Sequence, residues 1–185
     1  MLSRIGIKLL LAGLVITVPA RSQDIEELVV TKEGGVYEVQ MTFQIAADAE
    51  AIIDVLTDFD NPYRLNPDVT EREVIGYQGD ATRVRTRLRS CFLFFCRDLD
   101  MLQDVTRSAD SVEAVIVPER SDFETGSWLW TISAIDDQTS RIVLAASMEP
   151  KVMVPPFFRR MLEREVRAIA ANLEIEATMS DDVNE

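Results

Sequence analysis

The stretch Ala51-Ile52-Ile53-Asp54-Val55-Leu56-Thr57-Asp58-Phe59-Asp60-Asn61-Pro62-Tyr63-Arg64-Leu65-Asn66-Pro67-Asp68-Val69 decides how this chain is read. Ala51, Ile52, Val55 and Leu56 recur at helical spacing, and Asp48 is a fair N-cap. Asn61 precedes Pro62 and is pushed out of the helical region, so the helix is expected to end near Asp60. A further helical turn around Tyr63 to Asn66 stops before Pro67. Beyond Pro67 the chain reads as strands, until one long helix expected from about Pro155 to Met179. A twisted antiparallel sheet with a single long helix across its concave face cannot close tightly everywhere. The chain is therefore expected to be α+β, with a hollow between the two layers whose chemistry is apolar rather than catalytic.

Working outward, Glu26 to Thr31 and Val36 to Ile45 read as strands flanking a Gly34-Gly35 turn. In the second, Tyr37, Val39, Met41, Phe43 and Ile45 alternate with polar residues, which predicts one buried face. Val112 to Val117 is a further strand, and Asp122 to Ala134 pairs with Arg141 to Met148. Trp128, Trp130 and Ile132 share a face, as do Ile142, Leu144, Ala146 and Met148. The tryptophans are either plain core or part of the hollow's lining. Pro155-Pro156 suits a helix start, and Phe158, Leu162, Val166, Ile169, Ala170 and Leu173 form the last helix's apolar stripe.

The strand Ala81 to Ser90 puts Arg83, Arg85, Arg87 and Arg89 on one face. Two readings are open, an anion site or an ionic ladder. Pairing through a hairpin at Cys91 to Cys96 sets Arg89 opposite Asp98, Arg87 opposite Asp100 and Arg83 opposite Asp104. Each such pair contributes roughly 0.2 to 1 kcal/mol and fixes register, which favours the ladder. Arg85, facing Leu102, is left without a partner.

Arg4 and Lys8, an apolar run from Leu9 to Val18, and Pro19-Ala20-Arg21-Ser22-Gln23 have the layout of an export signal cut before Gln23; the alternative is an uncleaved anchor, for which the run falls short of the ~20 residues that a spanning helix needs. The expected organisation is a signal at 1–22, one domain at 23–179 and a disordered acidic tail at 180–185, with a bacterial periplasm as the destination. Losing the signal removes three of 19 basic residues and leaves 16 against 32 acids, a net charge of −16. Such a surface repels phosphate backbones and excludes nucleic acid as a partner. Export places Cys91 and Cys96 where a disulfide persists. A metal site is a poor reading, because two thiols supply half a zinc shell and the chain has no histidine.

Ile45, Asp48 to Leu56, Thr57 to Tyr63, Pro67-Asp68-Val69, Gly126 with Trp128 or Trp130, Thr139 with Arg141, and Pro150 to Pro156 stand in an order that resembles the START-like SRPBCC superfamily. The likeness is greatest to its polyketide cyclase/dehydrase and coenzyme Q-binding branch. It spans about Val36 to Ala177, and the specificity lies in order and spacing rather than in any one motif. The resemblance implies a helix-grip fold: a seven-stranded antiparallel sheet around the last helix, with two short helices closing one end of a ligand tunnel. Relatives of this pattern bind sterols, phospholipids, quinones or polyketides and share no fixed catalytic set. The implied partner is a hydrophobic small molecule, and no cofactor is implied beyond a bound lipid or quinone.

If the hollow exists, its lining is drawn from Tyr37, Met41, Phe43, Leu56, Phe59, Trp128, Trp130, Leu144, Phe158, Leu162 and Val166, with Asp58, Tyr63 and Arg85 as polar groups at the mouth. Three functions stay open. A carrier needs only the apolar hollow. A cyclase- or dehydratase-like enzyme, without histidine, would need Asp58, Asp60, Glu73 or Tyr77 as acid or base. An interaction module would keep a filled interior and dock through Phe92, Leu93, Phe94 and Phe95, residues that either touch a membrane or partner or fold back to plug the barrel.

Overall fold

The computed structural model describes residues 25–92 and 95–184. The expected export signal and the hairpin tip Leu93-Phe94 lie outside the described residues, and so do the side chains of Phe92 and Phe95. Strands β1 (Ile25–Glu33) and β2 (Val36–Ile45) come first, then helix α1 (Ala49–Thr57). Next come β3 (Val69–Gln78), β4 (Ala81–Phe92), β5 (Phe95–Arg107), β6 (Ser111–Ile116), β7 (Phe123–Asp136) and β8 (Thr139–Pro150), and helix α2 (Phe158–Asn184) ends the chain. All eight strands form one antiparallel sheet in the order β1-β2-β8-β7-β6-β5-β4-β3. The expected count of seven is corrected to eight.

Local chemistry accounts for the joints. Gly34 and Gly35 take φ of 58° and 107°, the left-handed pair that a two-residue hairpin needs, and Glu33 faces Val36 across it. Asp48 caps α1, its carboxylate accepting from the Ala51 amide at 2.8 Å. The helix stops at Thr57, three residues before the expected end, and the second short helix is a single 3-10 turn at Pro62–Arg64. Likewise α2 starts at Phe158 rather than Pro155, since Pro155 and the two residues after it form a turn whose carbonyl, at Pro155, takes the Phe158 amide at 2.9 Å. Its far end runs to Asn184, past Met179.

The arginine face of β4 is a ladder. Arg83 makes two 2.7 Å bonds to Asp104, Arg87 bonds Asp100 at 3.2 Å and Glu71 at 2.8 Å, and Arg89 pairs with Asp98 at 3.3 Å. Hydrogen bonding to Arg83 holds the Asp104 carboxyl below its ordinary pKa and raises that of Arg83 in turn. Cys91 and Cys96 face each other at the end of the hairpin and are joined by a disulfide.

The core is uneven. Tyr37, Val39, Met41, Phe43 and Ile45 of β2 and Ile142 and Leu144 of β8 are almost fully buried, as are Ala170, Leu173 and Ala177 of α2. The small alanines let the helix approach closely there. Towards β3 to β7 the layers part.

Candidate functional site

A cavity of about 220 Å3 lies between α2 and the β3–β7 side of the sheet. Val84 and Leu88 of β4, Leu99, Met101 and Val105 of β5, and Val112 and Ala114 of β6 form its sheet wall. Phe123, Trp128 and Trp130 of β7 continue it, and Met148 of β8 closes that side. From α2 come Phe158, Leu162, Val166 and Ile169, and from the segment after α1 come Leu56, Phe59 and Leu65. Inward side chains alternate with outward ones along each strand, which is why the two tryptophans, two residues apart, both reach it.

The lining is not wholly apolar. Arg72 of β3, Thr86 of β4, Gln103 of β5, Asn66 and Asp68 before β3, and Glu165 of α2 belong to it as well, beside the apolar Val69 at the start of β3. Arg72 donates from Nε to Thr86 Oγ1 at 3.3 Å, with the two residues directly opposite in the β3–β4 register. Burial lowers the Arg72 pKa, an effect that the charge of Asp58 opposes. Glu165 accepts a 2.9 Å bond from Asn66 Nδ2, and burial nonetheless raises its carboxyl above the ordinary range. Asn66 in turn takes the Asp68 amide at 2.9 Å, so one amide side chain ties the loop to the helix.

Seven of the fourteen residues singled out from sequence line this cavity: Leu56, Phe59, Trp128, Trp130, Phe158, Leu162 and Val166. Tyr37, Met41, Phe43 and Leu144 do not; they belong to the close-packed half of the sheet, where Tyr37 packs edge-on against Phe158 with ring centroids 4.9 Å apart. The three polar residues expected at the mouth do not line the cavity either. Asp58 is spent on its own turn, accepting from the Asp60 amide and Asn61 Nδ2. Tyr63 is 60% exposed, and Arg85 lies on the outer face of β4 opposite Leu102 and Glu73. Nor do Asp60, Glu73 or Tyr77 reach the cavity; Tyr77 is 73% exposed.

The sequence profile described as "Polyketide cyclase / dehydrase and lipid transport" matches residues 37–177. The chain belongs to that family. Strand β1 precedes the matched span, which explains the eighth strand. A START superfamily protein from Mycobacterium smegmatis shares the family fold with a TM-score of 0.64 and 18% identity, over 77% of this chain and 97% of that one. The Zhui aromatase/cyclase from Streptomyces sp. R1128 aligns at TM-score 0.61 and 18% identity, covering 77% and 94% of the two chains. A STAR-related lipid transfer protein from Xanthomonas axonopodis aligns at 0.59 and 14%, covering 79% and 98%. No curated protein matches the chain by sequence.

The residues that sequence reading missed are the polar ones. Glu165 falls among the charged positions of a helix that looks fully solvated on that side, and Arg72 stands in a strand that the alternation rule does not reveal. Register shifts between Val69 and Glu71 and between Val74 and Gly76 break the two-residue period.

Proposed function

We propose that this protein binds and carries a hydrophobic or amphiphilic small molecule in the α2–sheet cavity, without altering it, in an oxidising compartment outside the cytoplasm. The observation that carries this reading is the cavity itself, walled by more than a dozen apolar side chains in a protein of the polyketide cyclase/dehydrase and lipid transport family. Apolar ligand surface transferred there from water contributes about 25 cal/mol per Å2. At about 220 Å3 the cavity is smaller than most ligand pockets, which run from roughly 300 Å3 upward, so the reading is for one chain or a few fused rings rather than a two-chain phospholipid. The Cys91–Cys96 disulfide and the export-like N-terminus support the location.

An enzymatic reading is less supported, because Asp58, Asp60, Glu73 and Tyr77 lie outside the cavity, and of the two carboxyl groups that line it, Asp68 and Glu165, the second is engaged by Asn66 in tying the loop to the helix. The test is native mass spectrometry of protein purified from its own envelope, followed by loading with a panel of fatty acids, quinones and sterols. A bound mass of single-chain or ring size is expected. An empty protein that takes nothing from the panel overturns the proposal. Amino-terminal sequencing of the purified material checks export, with Gln23 the expected first residue.

A further inference from the structure

The cavity has a polar pole whose donors the protein leaves open. Gln103 is only 7% exposed, lines the cavity, and its side-chain amide has no hydrogen-bond partner among the described residues. A buried amide without partners has lost its hydration with nothing in return, and native proteins retain few of them. Gln103 stands opposite Val84 of the neighbouring strand, diagonal to the fully buried Thr86, and across from Thr86 on β3 Arg72 uses one donor, Nε, on the Thr86 hydroxyl. Arg72 forms no ion pair among the described residues, and Asp58 acts on it only at longer range. A guanidinium carries five donors in a planar fork that matches a carboxylate. Two carboxyl groups share the lining, Asp68 and Glu165, and burial favours the protonated form of Glu165, which reduces the negative charge that it presents to an incoming anion.

Building on the carrier reading, we propose that the ligand is a single-chain amphiphile with a carboxylate head, the head held by Arg72 and Gln103 and the tail lying against Trp128, Trp130, Leu162 and Val166. The arrangement satisfies in one event the amide and the guanidinium that the fold leaves open. Its apolar end then fills the remaining space. A neutral alcohol offers the same tail but leaves Arg72 unmatched. Hydrogen bonds to charged groups exceed neutral ones by a margin that converts to about tenfold or more in affinity.

The chain's two tryptophans both line the cavity, so their fluorescence reports binding directly. Titrations of the full mature chain with dodecanoate, dodecyl phosphate and dodecanol are expected to show dodecanoate at least about tenfold tighter than dodecanol. Arg72→Met should abolish that preference while leaving dodecanol affinity intact, which also shows that the variant folds. Gln103→Leu, which replaces an unsatisfied amide by an apolar group, should keep the fold and cut the preference about two- to tenfold. Equal binding of acid and alcohol, or a preference that survives both substitutions, overturns the carboxylate assignment while the carrier reading stands. Dodecyl phosphate binding tenfold tighter than dodecanoate overturns it likewise. Failure of all three probes, with the wider ligand panel also refused, overturns the carrier reading itself.

Discussion

Arg72 and Glu165 carry the chemistry of the cavity, and neither was legible in the sequence. A charged residue in a strand or on a helix is ordinarily a solvated one, and only the fold turns these two inward. Arg72 is placed by a backbone irregularity: without the register shift between Val69 and Glu71, the alternation from Val69 would turn residue 71 inward and residue 72 outward. Glu165 leaves a pH signature. Its folded-state pKa is raised, so between the ordinary glutamate value and the raised one the native state holds a proton that the unfolded chain has released. Stability from this group is therefore complete below the unfolded pKa and is lost as pH rises through the folded one. Glu165→Gln keeps an oxygen for Asn66 and removes the titration. Melting temperatures of the two proteins from about pH 4 to pH 8 are expected to diverge in favour of the variant as pH rises. A difference that stays flat, or that favours the wild type at high pH, refutes the assignment.

Elements were legible where their pattern is redundant. Opposite charges at three levels of the β4–β5 hairpin gave its register, and the structure pairs the same residues. The weakly patterned β3 escaped, because its two bulges erase the period on which recognition depends. Closing a loop this short with the Cys91–Cys96 disulfide stabilises by about 2 kcal/mol on the chain-entropy account. Replacing both cysteines by serine is expected to lower the melting temperature by about 4 to 8 °C, read by circular dichroism with the wild type under reducing conditions as the matching control. At the β6–β7 pairing, Gly126 is required by packing. A methyl group there would stand 2.6 Å from Ile116 Cδ1 and 3.2 Å from the Ser147 carbonyl oxygen. Gly126→Ala should cost about 1 kcal/mol, and Ile116→Val, which removes that Cδ1, should cost less in its presence than alone. Additive effects in a denaturant double-mutant cycle would refute the contact.

At the scale of the molecule, the order of elements was sufficient for the architecture, since one helix laid on a twisted sheet leaves few alternatives. The position of the hollow was not. It depends on where α2 lies close and where it lifts: Ala170 and Ala177 are fully buried in the core, whereas Leu162, Val166 and Ile169 of the same helix line the cavity with the tryptophans. The proposed carriage rests on that asymmetry, because the fold alone does not require a hollow. In a filled interior, enlarging a wall residue forces off-rotamer packing at a cost of about 1 to 3 kcal/mol. In a hollow, the same change fills space and removes a void that costs about 24 cal/mol per Å3. Ala114 of β6 lines the cavity directly opposite Trp128 in the strand register, so Ala114→Phe puts a ring into the empty volume. Its melting temperature is expected to equal or exceed that of the wild type, while affinity for any cavity ligand falls at least about tenfold as its space is taken. A destabilised variant would mean that the interior is packed, and an unchanged affinity would mean that the ligand binds elsewhere; either result would remove the cavity from the protein's function.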